Sequence, residues 1–293
     1  MHKALFLLIS ISILNGDQTA IAQNYQGKSV AYNVVGGAIM GGAGAVINKA
    51  PQQKWYKAFL RGFLTGACGG GLTFTGKKMN KLIADNQQLG YAYLSRAVFS
   101  AGNSIIENAA ANRNFYEVFH YDIGFVRIQY NTRTGKLLPR VMVSSLGSTV
   151  FLAANGRFDF KTTVRSGSMT FRTPEISYSP NFRASTPGNG FLFVDSLQTG
   201  AEFYKIYAHE MIHSFQFQEY SPITYFFKPW DTKWKERSPT YNKLSKYFFA
   251  DVNYEFMLGN YFLIQKGHKK ADYCHNFLEN EAESLSTGRS ACP

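Results

Sequence analysis

The pattern of the chain predicts an α+β fold: an N-terminal Gly-rich helical hairpin and a long helix, then an antiparallel sheet, then a second helical region. Three observations carry this. Two apolar runs before residue 76 hold glycines at four-residue spacing. Residues 115–193 alternate short β-rich segments with turn residues, and no helix among them is long enough for a parallel crossover. From about Thr199 the apolar residues return to helical period. Hydrophobic residues are 45% of the 293, enough for a full core and too many for a disordered chain. With 17% charged and 16% aromatic residues, a coiled coil, a collagen and a charged low-complexity tail are excluded.

Residues 1–22 read as a secretory signal peptide. His2 and Lys3 form the positive start, residues 4–14 an apolar stretch, and Ala20-Ile21-Ala22 the cleavage site before Gln23. The apolar stretch is too short for the roughly 20 residues of a membrane span. The expected location is therefore periplasm, cell envelope or medium. Export permits disulfides, and Cys274 and Cys292 are the expected pair. Cys68, in a Gly-rich apolar stretch, is expected to be a small buried residue.

Residues 23–114 form the first region. The runs 34–47 and 59–74 carry G-x-x-x-G spacing at Gly37–Gly41 and Gly62–Gly66, which lets two helix backbones approach closely. Pro51-Gln52-Gln53 marks the turn between them. Such a hairpin suits either membrane contact or tight packing within a soluble protein. Residues 77–112 follow as one long helix. Residues 115–293 form the second region. Strands are expected at 125–130, 140–154, 158–164, 168–172 and 191–195, with turns at 131–135, Asn155-Gly156 and Arg165-Ser166-Gly167. Residues 174–190 read as a loop. Helices are expected at 202–220, 241–265 and 270–286, with an aromatic, Pro-bearing connection at 221–239.

The net charge is +12, but the basic residues are scattered and accompany no nucleic-acid module, so nucleic acid is not an expected partner.

The chemistry lies near the C-terminus. His209-Glu210-Met211-Ile212-His213 is H-E-x-x-H. With 6 His in the chain, its chance occurrence is on the order of 0.005. On a helix, residues i and i+4 share a face, so both imidazoles can meet one metal while Glu210 stands beside them as a base. Zn2+ suits this set, because it takes neutral imidazoles and keeps a position open for water. A third ligand is needed. Glu219, ten residues after His209, is rejected: Gln216 fills the slot where a glycine would turn the chain back, so residue 219 points about 120° away. The run 278–284 supplies Glu279, Glu281 and Glu283. Glu279 is preferred, because Glu283 at i+4 can then accept from a ligand histidine. Glu281 is the alternative ligand, and Glu283 a third.

These two segments resemble the gluzincin-type zinc metallopeptidases, which pair H-E-x-x-H with a downstream E-x-x-[AS]-D. Here Glu279, Ala282 and Glu283 fill that pattern, with Glu in place of Asp. The Glu281 register matches the N-E-A-x-S run of thermolysin-like members, at residues 280–284. His213-Ser214-Phe215-Gln216 with E-x-E-A-E is also similar to the H-E-x-x-H-x-x-Q … E-x-E-A-D layout of certain bacterial peptidase domains. The resemblance covers residues 209–216 and 279–284 and implies a zincin-like active-site region, a peptide or protein substrate, and Glu210 as general base toward zinc-bound water. It implies an oxyanion donor, for which Tyr254 and Tyr261 are candidates, and an edge strand that pairs with substrate, for which 191–195 is nearest. The rival expectation is a non-catalytic envelope or membrane-associated assembly protein with a structural or vestigial metal site.

Overall fold

A computed structural model describes residues 25–174, 183–253, 257, 259 and 276–287. The expected signal peptide and Cys274–Cys292 pair, and the candidates Tyr254 and Tyr261, lie outside the described residues. The fold is α+β, with two small mixed sheets set among helices.

The hairpin forms as its glycines require. Helices α1 (Tyr25–Ile47) and α2 (Trp55–Met79) flank the turn at Pro51. A β-carbon on Gly37 would stand 2.5 Å from the Gly66 carbonyl oxygen, and Gly41 meets Gly62 in the same way. The two backbones touch, which only glycine permits. Gly69 and Gly76 give α2 a second close contact, with α4 (Tyr91–Ala110). Trp55, Tyr56, Phe59, Leu60, Leu64 and Leu72 of α2 point outward, and Cys68 with them: it is exposed, not buried as its apolar neighbours suggest. By length and composition α1 can cross a membrane from Gln26 to Ile47, although part of it is covered by the protein.

The single long helix expected at 77–112 is broken. Asn80 ends α2, the short α3 (Lys81–Asn86) follows, and Gln87 turns left-handed at φ 51° before α4 begins. Leu89 thereby enters the core. The Asn80 side-chain oxygen accepts from Ser95 Oγ at 2.8 Å and ties the two pieces side by side.

Strands β1 (Val118–Ile123), β2 (Val126–Asn131) and β3 (Lys136–Met142) make the antiparallel meander. The run 140–154 is not one strand region. It leaves β3 at Met142 and becomes α5 (Val143–Asn155), so Asn155-Gly156 ends a helix and is not a hairpin turn. The cause is remote in sequence: the Asp251 carboxylate accepts the Ser144 and Ser145 N–H groups at 2.7 and 2.8 Å and caps α5. Residues 158–164 also divide, into β4 (Arg157–Phe158) and α6 (Phe160–Ser166), the latter capped by Asp159.

Neither sheet is purely antiparallel. The second has the order β4-β5-β7-β6, with β5 (Met169–Thr173) parallel to β7 (Gly190–Val194) and β6 (Ala184–Ser185) on the rim. In the first, β8 (Phe248–Phe249) joins parallel to β3. The connecting chain outside these strands is long enough to bring them round in parallel. Strand β7 is interior and buried at all five residues, as its apolar run dictates, so it is not the edge expected at 191–195.

After β7 come α7 (Ala201–Gln218), a 3-10 turn (Ser221–Phe227), α8 (Lys228–Arg237), α9 (Pro239–Leu244) and α10 (Phe277–Ser286). The expected connection at 221–239 is thus helical. The largest apolar cluster joins Ile83, Leu89 and Phe99 to Phe193, Tyr207 and Met211. Phe99 stacks on Phe215 with ring centres 4.2 Å apart. Helix α7 is therefore held rigidly from behind, and its histidine face looks toward α10.

Candidate metal centre

His209 and His213 stand one turn apart on α7, each nearly buried. Their Nε2 atoms are 3.0 Å apart. Glu279, in the first turn of α10, places Oε2 3.3 Å from each. A tetrahedral ion with arms of about 2.0–2.1 Å separates neighbouring donors by about 3.3 Å. The three atoms form one face of such a tetrahedron, so the group can hold a divalent metal.

The surrounding hydrogen bonds set both tautomers. Gln216, one turn beyond His213, donates its amide nitrogen to Glu281 Oε2 at 2.8 Å and to the Leu278 carbonyl at 3.0 Å. That orients the amide. Its oxygen then accepts from His213 Nδ1 at 2.8 Å, leaving Nε2 as a lone pair aimed at the site. His209 likewise turns Nδ1 to Glu283 Oε2 at 3.4 Å. Both imidazoles thus have a partner for the far nitrogen, as metal-ligating histidines do.

The charges agree. Burial works against a proton on His209, yet hydrogen bonds to Glu279 and Glu283 and the charge of Glu210 outweigh it, and its pKa is pushed up to about 10. Burial likewise opposes charge on Glu279, but the two histidines hold its carboxyl well below the usual range. Hydrogen bonding from His209 lowers Glu283 as well. The centre is a net attractor for cations, and without a metal a proton takes that place.

Of the three acidic candidates, Glu279 faces the histidines, Glu283 stands behind His209, and Glu281 faces elsewhere. Glu281 is fully buried between Lys77 Nζ at 2.8 Å, Asn33 Nδ2 at 3.0 Å and Gln216. The alternative ligand Glu281 is thus turned away from the histidines: at position 281 the turn of α10 points into the hairpin. Glu219 also pairs with Lys77, away from the histidines. Glu210 is buried, and its carboxylate accepts from Thr186 Oγ1 at 2.6 Å. Thr186 directly follows β6, so the rim strand of the second sheet is the one beside Glu210.

Gln216 was noted in the sequence, but not as the partner of His213; that role was legible, since it lies three positions after His213 on the same helix face. Two further residues of the site were not singled out from sequence. Thr186 and Lys77 carry no local signal, since both reach the centre only through the tertiary fold. Comparison with family models, with curated proteins and with solved structures finds no match to this chain.

Proposed function

We propose that this chain is an exported, zinc-dependent metallohydrolase of the gluzincin type that cleaves peptide bonds. The observation that supports it most is the triangle of His209 Nε2, His213 Nε2 and Glu279 Oε2, with sides of 3.0, 3.3 and 3.3 Å, beside a further acid that the triangle does not use. Two histidines and one carboxylate are the ligand set of catalytic zinc, which keeps one position for water or substrate. Bound there, zinc would supply Lewis acidity and an acidified water.

The chain's own residues do the rest. Gln216 and Glu283 hold the imidazoles with Nε2 inward. Glu210, steadied by Thr186, takes the proton of the attacking water and returns it to the leaving amine. The rim strand β6 offers main-chain groups to an extended peptide. The leader at residues 1–22 supports export. A purely structural metal site needs no base, and the presence of Glu210 argues for catalysis.

The test is metal content and peptide cleavage of wild type beside Glu210→Gln. The expected outcome is about one zinc per chain in both, with hydrolysis lost by several orders of magnitude in the variant. Equal activity in the two proteins removes Glu210 from the mechanism, and metal-free wild type prepared without chelator removes the site.

A further inference from the structure

We propose that the outer face of the Gly-rich hairpin is a docking surface for an anionic phospholipid bilayer. Residues 25–84 contain eight lysines and arginines and no aspartate or glutamate. Helix α2 turns Gly62, Gly66, Gly69 and Gly76 toward α1 and α4, and several large side chains of its first five turns outward. Tyr56, Leu60, Leu64 and Leu72 are 47, 57, 58 and 38% exposed. Tyr56, Leu60 and Leu64 follow at i, i+4 and Leu72 two turns on, so they make a row about 24 Å long that winds across the exposed half of the helix. Exposed Lys54 and Lys57 stand at one end of it and Lys78 at the other. Trp55, 63% exposed, marks the end at the hairpin turn. An apolar ridge between lysine ends, with tryptophan at its border, is the chemistry of a helix lying in a membrane interface.

Two further observations choose the occupant and the pose. A second copy of this chain would set lysines against lysines with no acid on the face to answer them, whereas anionic headgroups answer them all. The opposite side of the same two helices buries Ser29, Asn33, Thr73 and Lys77, and Lys77 and Asn33 bind Glu281 on α10. Among the described residues, only one side of the hairpin is free for lipid. It therefore lies on the bilayer and does not cross it, although α1 has the length to do so.

The experiment is co-sedimentation of the full chain with vesicles of phosphatidylcholine alone or mixed with phosphatidylglycerol. Wild type is expected to pellet with the anionic vesicles, to stay in solution with phosphatidylcholine, and to be released by salt. The double variants Leu60→Asp with Leu64→Asp and Lys54→Glu with Lys57→Glu should each lose partition by about tenfold or more while melting as wild type does. These four side chains are exposed, so both variants are expected to fold. Wild type that stays in the supernatant with anionic vesicles overturns the proposal. So does either double variant that pellets as wild type does, or a wild-type dimer that Leu60→Asp with Leu64→Asp dissolves without changing vesicle binding.

Discussion

At the residue scale, the three glutamates of α10 sit within five positions and have three different surroundings. Glu279 touches both histidines, Glu283 touches the back of one, and Glu281 touches neither. Zinc titration should separate them. Glu279→Ala is expected to abolish metal binding at ordinary concentrations. Glu283→Ala removes only the acceptor behind His209 and should weaken affinity by about 10- to 100-fold. Glu281→Ala should destabilise the protein by about 2 kcal/mol or more, read by denaturant unfolding without metal. That is short of the 3–5 expected for breaking a lone buried pair, because Glu219 can ionise and take over Lys77. Retained metal binding in Glu279→Ala would sink this assignment. The i, i+4 relation of Glu279 and Glu283 was legible from spacing alone. The fate of Glu281 was not, because helix periodicity says which way a side chain points and not what waits there.

At the element scale, the hairpin was legible because its signal is steric and local. Its glycines recur where backbones meet, and the meeting needs no third party. The α5 segment was not legible. Its apolar and β-branched residues, Val143, Thr149, Val150 and Phe151, favour a strand, and the cap that turns the chain into a helix is Asp251, more than a hundred residues away. Parallel pairing of β5 with β7 was hidden for the same reason. The hairpin reading makes a paired prediction. A methyl on Gly66 would meet the Gly37 carbonyl, whereas Gly36 and Gly71 have nothing within 4 Å. Gly66→Ala should cost about 1–3 kcal/mol through overpacking. Gly36→Ala and Gly71→Ala should raise stability by about 0.5–1 kcal/mol, since alanine suits a helix interior better. Equal effects at all three positions, measured by urea unfolding, would mean that the helices do not touch.

At the scale of the whole molecule, one buried cluster joins the hairpin to the helices that carry the candidate metal ligands. Lys77 of α2 reaches Glu219, just past α7, and Glu281 of α10. Through Glu281 and Gln216 it also supports His213. Hairpin and metal site are thus one unit, and a change at Lys77 should be felt at the histidine.

The cluster holds one ammonium and two carboxylates, all buried, so neutrality requires one proton more than ordinary pKa values supply. The hydrogen bonds decide where it goes. Glu281 accepts from Lys77, Asn33 and Gln216. Glu219 has Lys77 alone among the described residues. Burial, then the charge of Glu281, raise its pKa to about 8 against the pull of Lys77. Its unfolded value is the ordinary 4.5. Between those two values the unfolded chain has lost this proton and the folded chain keeps it. Stability therefore falls as pH rises through that window, by up to about 1.4 kcal/mol per unit. Glu219→Gln keeps the shape and an oxygen for Lys77 but has no proton to release. Unfolding free energies in chelator, which removes metal linkage, should show wild type losing about 2 kcal/mol more than Glu219→Gln between pH 5.5 and 7.5. The two proteins should converge below about pH 4, where the glutamate is protonated in both the folded and the unfolded state. Parallel curves across the whole range would place the surplus proton on another group and leave Glu219 ionised beside Lys77.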